Sequence, residues 1–167
     1  MGETDQLKNF ITAIYPLPVL EMEAFLSIWK PYQAKRKTLL TRAGEKERHL
    51  YFVMEGIQRV FYTGDDGRDA TIVFTYPPSF SGVADSFLTQ TNSRFFCETL
   101  TPSVFLKTDF NQLDSLMMRY HEIERMIRLL TNHAFSGVLH RIVETQCFTA
   151  EEKFKSLFAR SPHLLNL

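Results

Sequence analysis

The sequence predicts a mainly β protein with flanking helices: a small barrel or sandwich, entered through helices and left along a long one. Three observations predict it. Between residues 34 and 108, short β-rich runs alternate with turn signals at intervals of roughly ten residues, the rhythm of an all-β sandwich or barrel. On either side of that stretch apolar residues recur at helical spacing. Fifteen phenylalanines in 167 residues supply material for one well-filled core.

The elements follow in order. Leu7, Phe10, Ile11 and Ile14 form one helical stripe before Pro16 and Pro18 interrupt it. Leu20, Phe25, Leu26, Ile28 and Trp29 form a second before Pro31. Residues 1–33 therefore read as helices packing on the module that follows. The barrel, residues 34–108, is predicted from runs at Thr38–Thr41, His49–Val53, Ile57–Tyr62, Ala70–Tyr76, Arg94–Leu100 and Val104–Thr108. Gly64-Asp65-Asp66-Gly67 is the clearest hairpin, because its glycines tolerate positive φ. The Ile57–Tyr62 run carries apolar groups on both faces, which suits a two-layered sheet. Ser79–Asn92 breaks the strand pattern with small residues and a short helix near Val83–Leu88. It reads either as a nest of backbone N–H groups for an anion or as an ordinary surface connection.

Residues 109–148 return to helix. Asp109 is placed as the N-cap of a helix at Phe110–Leu116. A longer helix, about Ile123 to Gln146, carries two adjacent apolar residues at nearly every turn, a wider stripe than one buried face needs. One side of it is expected to pack on the barrel and the other to meet the same helix of a second chain, with Ala134 and Gly137 permitting close approach. Residues 149–167 open with the capping box Thr149-Ala150-Glu151-Glu152 and end in the apolar tail Leu164–Leu167, read as a connection to a further element.

Composition narrows the function. Nineteen basic residues balance nineteen acidic ones, so the chain as a whole has no general attraction for nucleic acid. Cys97 and Cys147 stand alone and cannot supply a structural zinc or an iron–sulfur cluster; both read as buried thiols in a reducing compartment. The N-terminus lacks the basic and apolar regions of a secretory signal, Gln6 spoils a myristoylation motif at Gly2, and no apolar run approaches the ~20 residues of a membrane span. A cytoplasmic protein with no membrane partner is expected. There is no Gly-x-Ser-x-Gly elbow and no Walker loop. A cupin-like metal enzyme would need paired strand histidines, and only His49 of the five histidines falls in a predicted strand; no metal site and no catalysis are expected. Nothing marks Cys97 or His133 as a haem ligand.

The local sequence also resembles a known family. Ala43-Gly44-Glu45 followed by His49-Leu50-Tyr51-Phe52-Val53-Met54-Glu55-Gly56 resembles the Gly-Glu…Leu-Tyr-Phe-Val-x-x-Gly strand and turn of the cyclic-nucleotide-binding sensor domains of Crp/Fnr transcription regulators. Phe80-Ser81-Gly82…Ser86-Phe87-Leu88 is similar to their phosphate-binding cassette, and Thr149–Leu167 to the linker before their winged helix-turn-helix. The resemblance implies a double-stranded β-helix (jelly-roll) barrel, a long C-terminal dimerisation helix, homodimers, a small effector, and DNA contact only through a domain absent from this chain. It places the ligand at Gly82, Val83, Ala84, Ser93 and Arg94, against the start of the long helix near Arg125–Thr131. Family members that bind cyclic nucleotides carry Gly-Glu-Leu in the cassette and Arg-Ser/Thr-Ala after it: the carboxylate accepts the ribose hydroxyl and the arginine forks onto the cyclic phosphate. Here Val83 stands at the carboxylate position, and the arginine is displaced by one residue, from Ser93 to Arg94. One residue's shift on a strand turns a side chain to the opposite face. Standard cyclic AMP binding is therefore not expected; another small, anionic or nucleotide-like effector is. The rival expectation is a constitutive dimerisation module whose pocket is filled by Phe74, Phe80, Phe95 and Phe96.

Overall fold

The computed structural model describes Gly2 and residues 4–162. Two helices, α1 (Asp5–Ile14) and α2 (Val19–Ser27), precede eight strands: β1 (Lys30–Ala34), β2 (Leu39–Thr41), β3 (His49–Glu55), β4 (Gln58–Thr63), β5 (Asp69–Thr75), β6 (Ser79–Ser81), β7 (Phe96–Thr99) and β8 (Ser103–Asp109). The short α3 (Ala84–Thr89) lies between β6 and β7. After β8 come α4 (Phe110–Arg119), α5 (His121–Cys147) and α6 (Ala150–Arg160). The chain forms two compact units, Met1–Met126 and Ile127–Leu167, with α5 running through the boundary.

In the first unit the strands form two antiparallel four-stranded sheets, ordered β1-β8-β3-β6 and β2-β7-β4-β5. Apart from the β4–β5 hairpin, which stays in one sheet, sequential strands alternate between the sheets in the manner of a jelly roll, as expected. Strand β3 explains why both layers close. Tyr51 and Val53 join Phe105 and Ala34 in the space between the sheets, while Phe52, one position out of phase, meets Phe10 of α1 at 5.4 Å and Phe80 at 5.4 Å. Phe80 also meets Trp29 at 5.8 Å, and Trp29 meets Phe25 of α2 at 5.6 Å. One sheet is thus sealed on its outer face by an aromatic layer from the first two helices.

Strands β1 and β6 escape the sequence pattern. Pro31 lies inside β1 and reads as a break, yet β1 pairs only with β8 and sits at a sheet edge, where a missing N–H is tolerated. Strand β6 is three residues of small or alternating character, too short for a period to register. The predicted hairpin is present: Gly64 N–H donates to Arg68 O at 2.9 Å, and Gly67 alone of the two glycines takes positive φ. Gly56 has a stricter need. Its φ is +91°, and a Cβ there would lie 2.5 Å from the Pro102 carbonyl oxygen.

The helical ends match their caps. The Asp109 carboxylate accepts the Gln112 N–H at 3.0 Å, and Thr149 and Glu152 form both halves of the capping box. In the second unit Ser156 Oγ donates to Glu144 Oε1 at 2.7 Å, and Phe154 and Phe158 lie 4.4 Å apart. The tail Leu164–Leu167 lies outside the described residues.

Two expectations are corrected. Cys97 is buried, but Cys147 is exposed on the last turn of α5; its helical neighbours read as apolar, yet many of them face outward. Of the four phenylalanines expected inside the barrel, only Phe95 packs on the interior cluster of Val60, Val83 and Cys97. Phe80 points to α1 and α2, Phe96 stacks on Phe61 at 5.2 Å on the outer face, and Phe74 lies cross-strand from Arg59, away from Val60. Phe95 lies in the bend just before β7 and Phe96 is that strand's first residue.

Candidate functional site

The segment that resembles the cassette lies between β6 and β7. Gly82 takes φ +121°, a conformation that only glycine adopts freely, and turns the chain from β6 into α3. Val83 caps α3 without a side-chain hydrogen bond, is buried, and packs on Val60 and Cys97. Ala84 and Asp85 are exposed. Phe87 anchors the helix from below, edge-on to Phe110 of α4 at 5.7 Å. The opposite border comes from the segment before β7. Gly44 N–H donates to Ser93 O at 2.8 Å and Ser93 N–H to Glu45 O at 2.8 Å. Ser93 is buried and its Oγ serves Phe95, donating to its carbonyl at 2.7 Å and accepting its N–H at 2.9 Å. Arg94 is exposed and has no hydrogen bond or ion pair among the described residues.

The centre of this arrangement is a residue the sequence reading passed over. Glu47, only 2% exposed, sits beneath the cassette. Its carboxylate accepts from the Thr41 hydroxyl of β2, from the His49 N–H of β3 at 3.1 Å, and from the Val83 N–H of the cassette at 3.4 Å. Its backbone is held as well: the Glu47 N–H donates to Ser86 Oγ at 2.9 Å, and Gln90 Nε2 donates to the Glu47 carbonyl at 3.0 Å. Burial pushes the carboxyl above the usual range, against the pull of these donors. In the run Lys46-Glu47-Arg48 a glutamate reads as one more solvated charge, and no local pattern marks it as interior.

A second feature without a sequence signal runs between the sheets. Gln58, fully buried, donates from Nε2 to Ser103 Oγ at 2.9 Å; its Oε1 lies 3.0 Å from Thr75 Oγ1. Thr75 Oγ1 is 2.9 Å from Ser81 Oγ, which is 3.8 Å from Cys97 Sγ. Burial pushes the Cys97 thiol up to about 12, leaving it an inert neutral group. This chain satisfies its own polar atoms and holds β4, β5, β6 and β8 in register.

Outside the cassette, two open grooves of about 470 and 540 Å3 flank the Lys46–His49 segment. Both include Lys46, Arg48 and His49; neither includes Gly82, Val83, Ala84 or Arg94. Among the described residues, no three His, Cys, Asp or Glu side chains converge as metal ligands, and no helix is long and apolar enough to cross a membrane.

Comparison with known proteins settles the family. The sequence model of the cyclic nucleotide-binding domain matches residues 32–120, more than half of the chain. The chain belongs to the cyclic nucleotide-binding domain family. No curated protein sequence matches it. Among solved structures, it is similar to a cyclic nucleotide-binding domain from Methylobacillus flagellatus (16% identity, TM-score 0.73, covering 87% of this chain and 85% of that one). It is similar to a Crp/Fnr-family transcriptional regulator from Eubacterium rectale (13% identity, TM-score 0.74, covering 90% and 70%). It is also similar to the Thermus thermophilus catabolite activator protein (18% identity, TM-score 0.63, covering 77% and 61%). The domain thus spans about three fifths of that activator's length, and these likenesses establish the fold.

The domain's residues do not fit a cyclic nucleotide in the family's usual pose. At the carboxylate position Val83 offers no acceptor and is turned into the core. At the arginine position Ser93 is buried and already bonded to Phe95. The neighbouring Arg94 is exposed; both residues lie in the segment before β7 and on no strand, so strand alternation does not set their directions.

Proposed function

We propose that the chain is the effector-sensing domain of a Crp/Fnr-type transcription regulator, which binds a small ligand at its cassette and signals through a dimer built on α5. The observation that carries this reading is the outer face of α5. Phe135, Val138, Leu139, Ile142 and Val143 are all exposed, and their spacing of three and four places them on one face of the helix. An apolar stripe of this length turned to water suits a partner helix of the same kind. The proposed effector site is the cassette, with Gly82 and Ala84 at its surface, Val83 and Ser93 in its floor, and Arg94 at its rim. DNA contact belongs to a domain outside this chain, and the regulator works in the cytoplasm.

The test is sedimentation velocity combined with thermal melts against a panel of metabolites. The expected result is a dimer whose melting temperature rises with one compound, since a ligand at a hundred times its Kd adds about 2.7 kcal/mol to the native state. A monomer that no compound stabilises would sink the reading. A specific observation favours a second reading, a constitutive dimerisation module with a vestigial pocket: Val83, apolar at the carboxylate position, packs on Val60 and Cys97. A stable dimer indifferent to every compound would decide for it.

A further inference from the structure

The cassette of this domain is served from within. The Val83 N–H points at the Glu47 carboxylate. Gly82 needs glycine for its φ of +121°, and a Cβ there would lie in ordinary contact, 3.4 Å, with the same Glu47 oxygen. The carboxylate lies against the Gly82–Val83 peptide. No Lys, Arg or His among the described residues forms an ion pair with it. Lys46 and Arg48 flank it in sequence but are exposed, while Glu47 is buried. Neither position that the resemblance assigns to ligand charge puts a charge in the floor: Val83 is buried but apolar, and Arg94 is exposed. A carboxylate is thus held beneath the cassette by three donors, with no cation paired to it among the described residues. A second anion brought to the same backbone meets an occupied donor and a like charge in a poorly screened interior.

We propose that Glu47 is the specificity-determining residue of the cassette: its buried carboxylate takes the Val83 N–H and shuts out ligands that bring a negative charge there. The effector of this domain is then a molecule with an uncharged or cationic end at the cassette. This rests on the reading of the cassette as the effector site. Rejection works by leaving an incoming anion without its donors as well as by repulsion, which is how closely similar ligands are told apart.

The experiment is calorimetric titration with cyclic AMP at pH 7 of the whole chain and of Glu47→Gln, Glu47→Ala and Asp85→Asn, each checked for fold by circular dichroism. Glu47→Gln removes the charge and keeps the shape; Glu47→Ala removes both. Asp85 is an exposed cassette carboxylate and controls for general charge. The expected result is no measurable heat from the wild type or Asp85→Asn, and affinity at least tenfold tighter in the Glu47 variants. Micromolar binding by the wild type would overturn the proposal. So would folded Glu47 variants no tighter than wild type, or an equal gain in Asp85→Asn. Loss of fold in both Glu47 variants would mark the residue as structural only and overturn it too. The sensor reading stands or falls separately, on whether any uncharged or cationic metabolite raises the wild-type melting temperature.

Discussion

Glu47 and His49 sit two residues apart and titrate in opposite senses. Burial raises the Glu47 carboxyl in the folded chain, so its contribution to stability is full below the ordinary value near 4.5 and is lost as pH rises through the higher folded value. Burial, with Lys107 nearby, lowers the His49 imidazole; its contribution is present above the ordinary value of 6.5 and is lost as pH falls through the lower folded one. Urea melts across this range are expected to show a flatter limb above pH 4.5 in Glu47→Gln and a flatter acid-side limb in His49→Gln; unchanged profiles would mean that neither group is titrating in the fold. The two thiols divide as sharply. Cys97 is buried with its thiol held neutral, and Cys147 is exposed. A thiol reagent should label one cysteine at once under native conditions and the second only after denaturation. Rapid labelling of both would contradict the burial of Cys97.

At the level of elements, α5 carries the most consequential side chains. Leu139 is 47% exposed in the middle of the apolar stripe. A charge at the centre of a helix–helix seam is left without solvent or partner when the seam closes. Leu139→Glu should therefore shift a dimer to monomer in sedimentation while leaving helix content unchanged; a dimer that persists would move the interface elsewhere. The helix itself was legible from its periodicity, as were α1, α2, the caps at Asp109 and Thr149, and six of the eight strands. Strands β1 and β6 were not. Pro31 is a break by any local rule, and only the edge position beside β8 makes it acceptable.

For the molecule as a whole, the aromatic layer decides how helices and barrel hold together in the first unit. Phe52 is fully buried and touches both Phe10 and Phe80. Phe52→Ala is expected to cost about 3–5 kcal/mol in denaturant unfolding; a loss below about 1 kcal/mol would mean the helices carry little of the stability. The kind and order of the elements follow from the letters alone, because hydrophobic period, turn residues and caps are local and write themselves into consecutive positions. The Gly-Glu and Leu-Tyr-Phe-Val motifs and the cassette likewise announced the family, and the Val83 and Arg94 departures were visible in the letters. Which phenylalanines face inward, the exposure of Cys147 and the place of Glu47 under the cassette arise only in the folded chain. Each of these depends on what a distant segment covers, and a charged residue between Lys46 and Arg48 carries no local mark of the β2, β3 and cassette donors that fold around it.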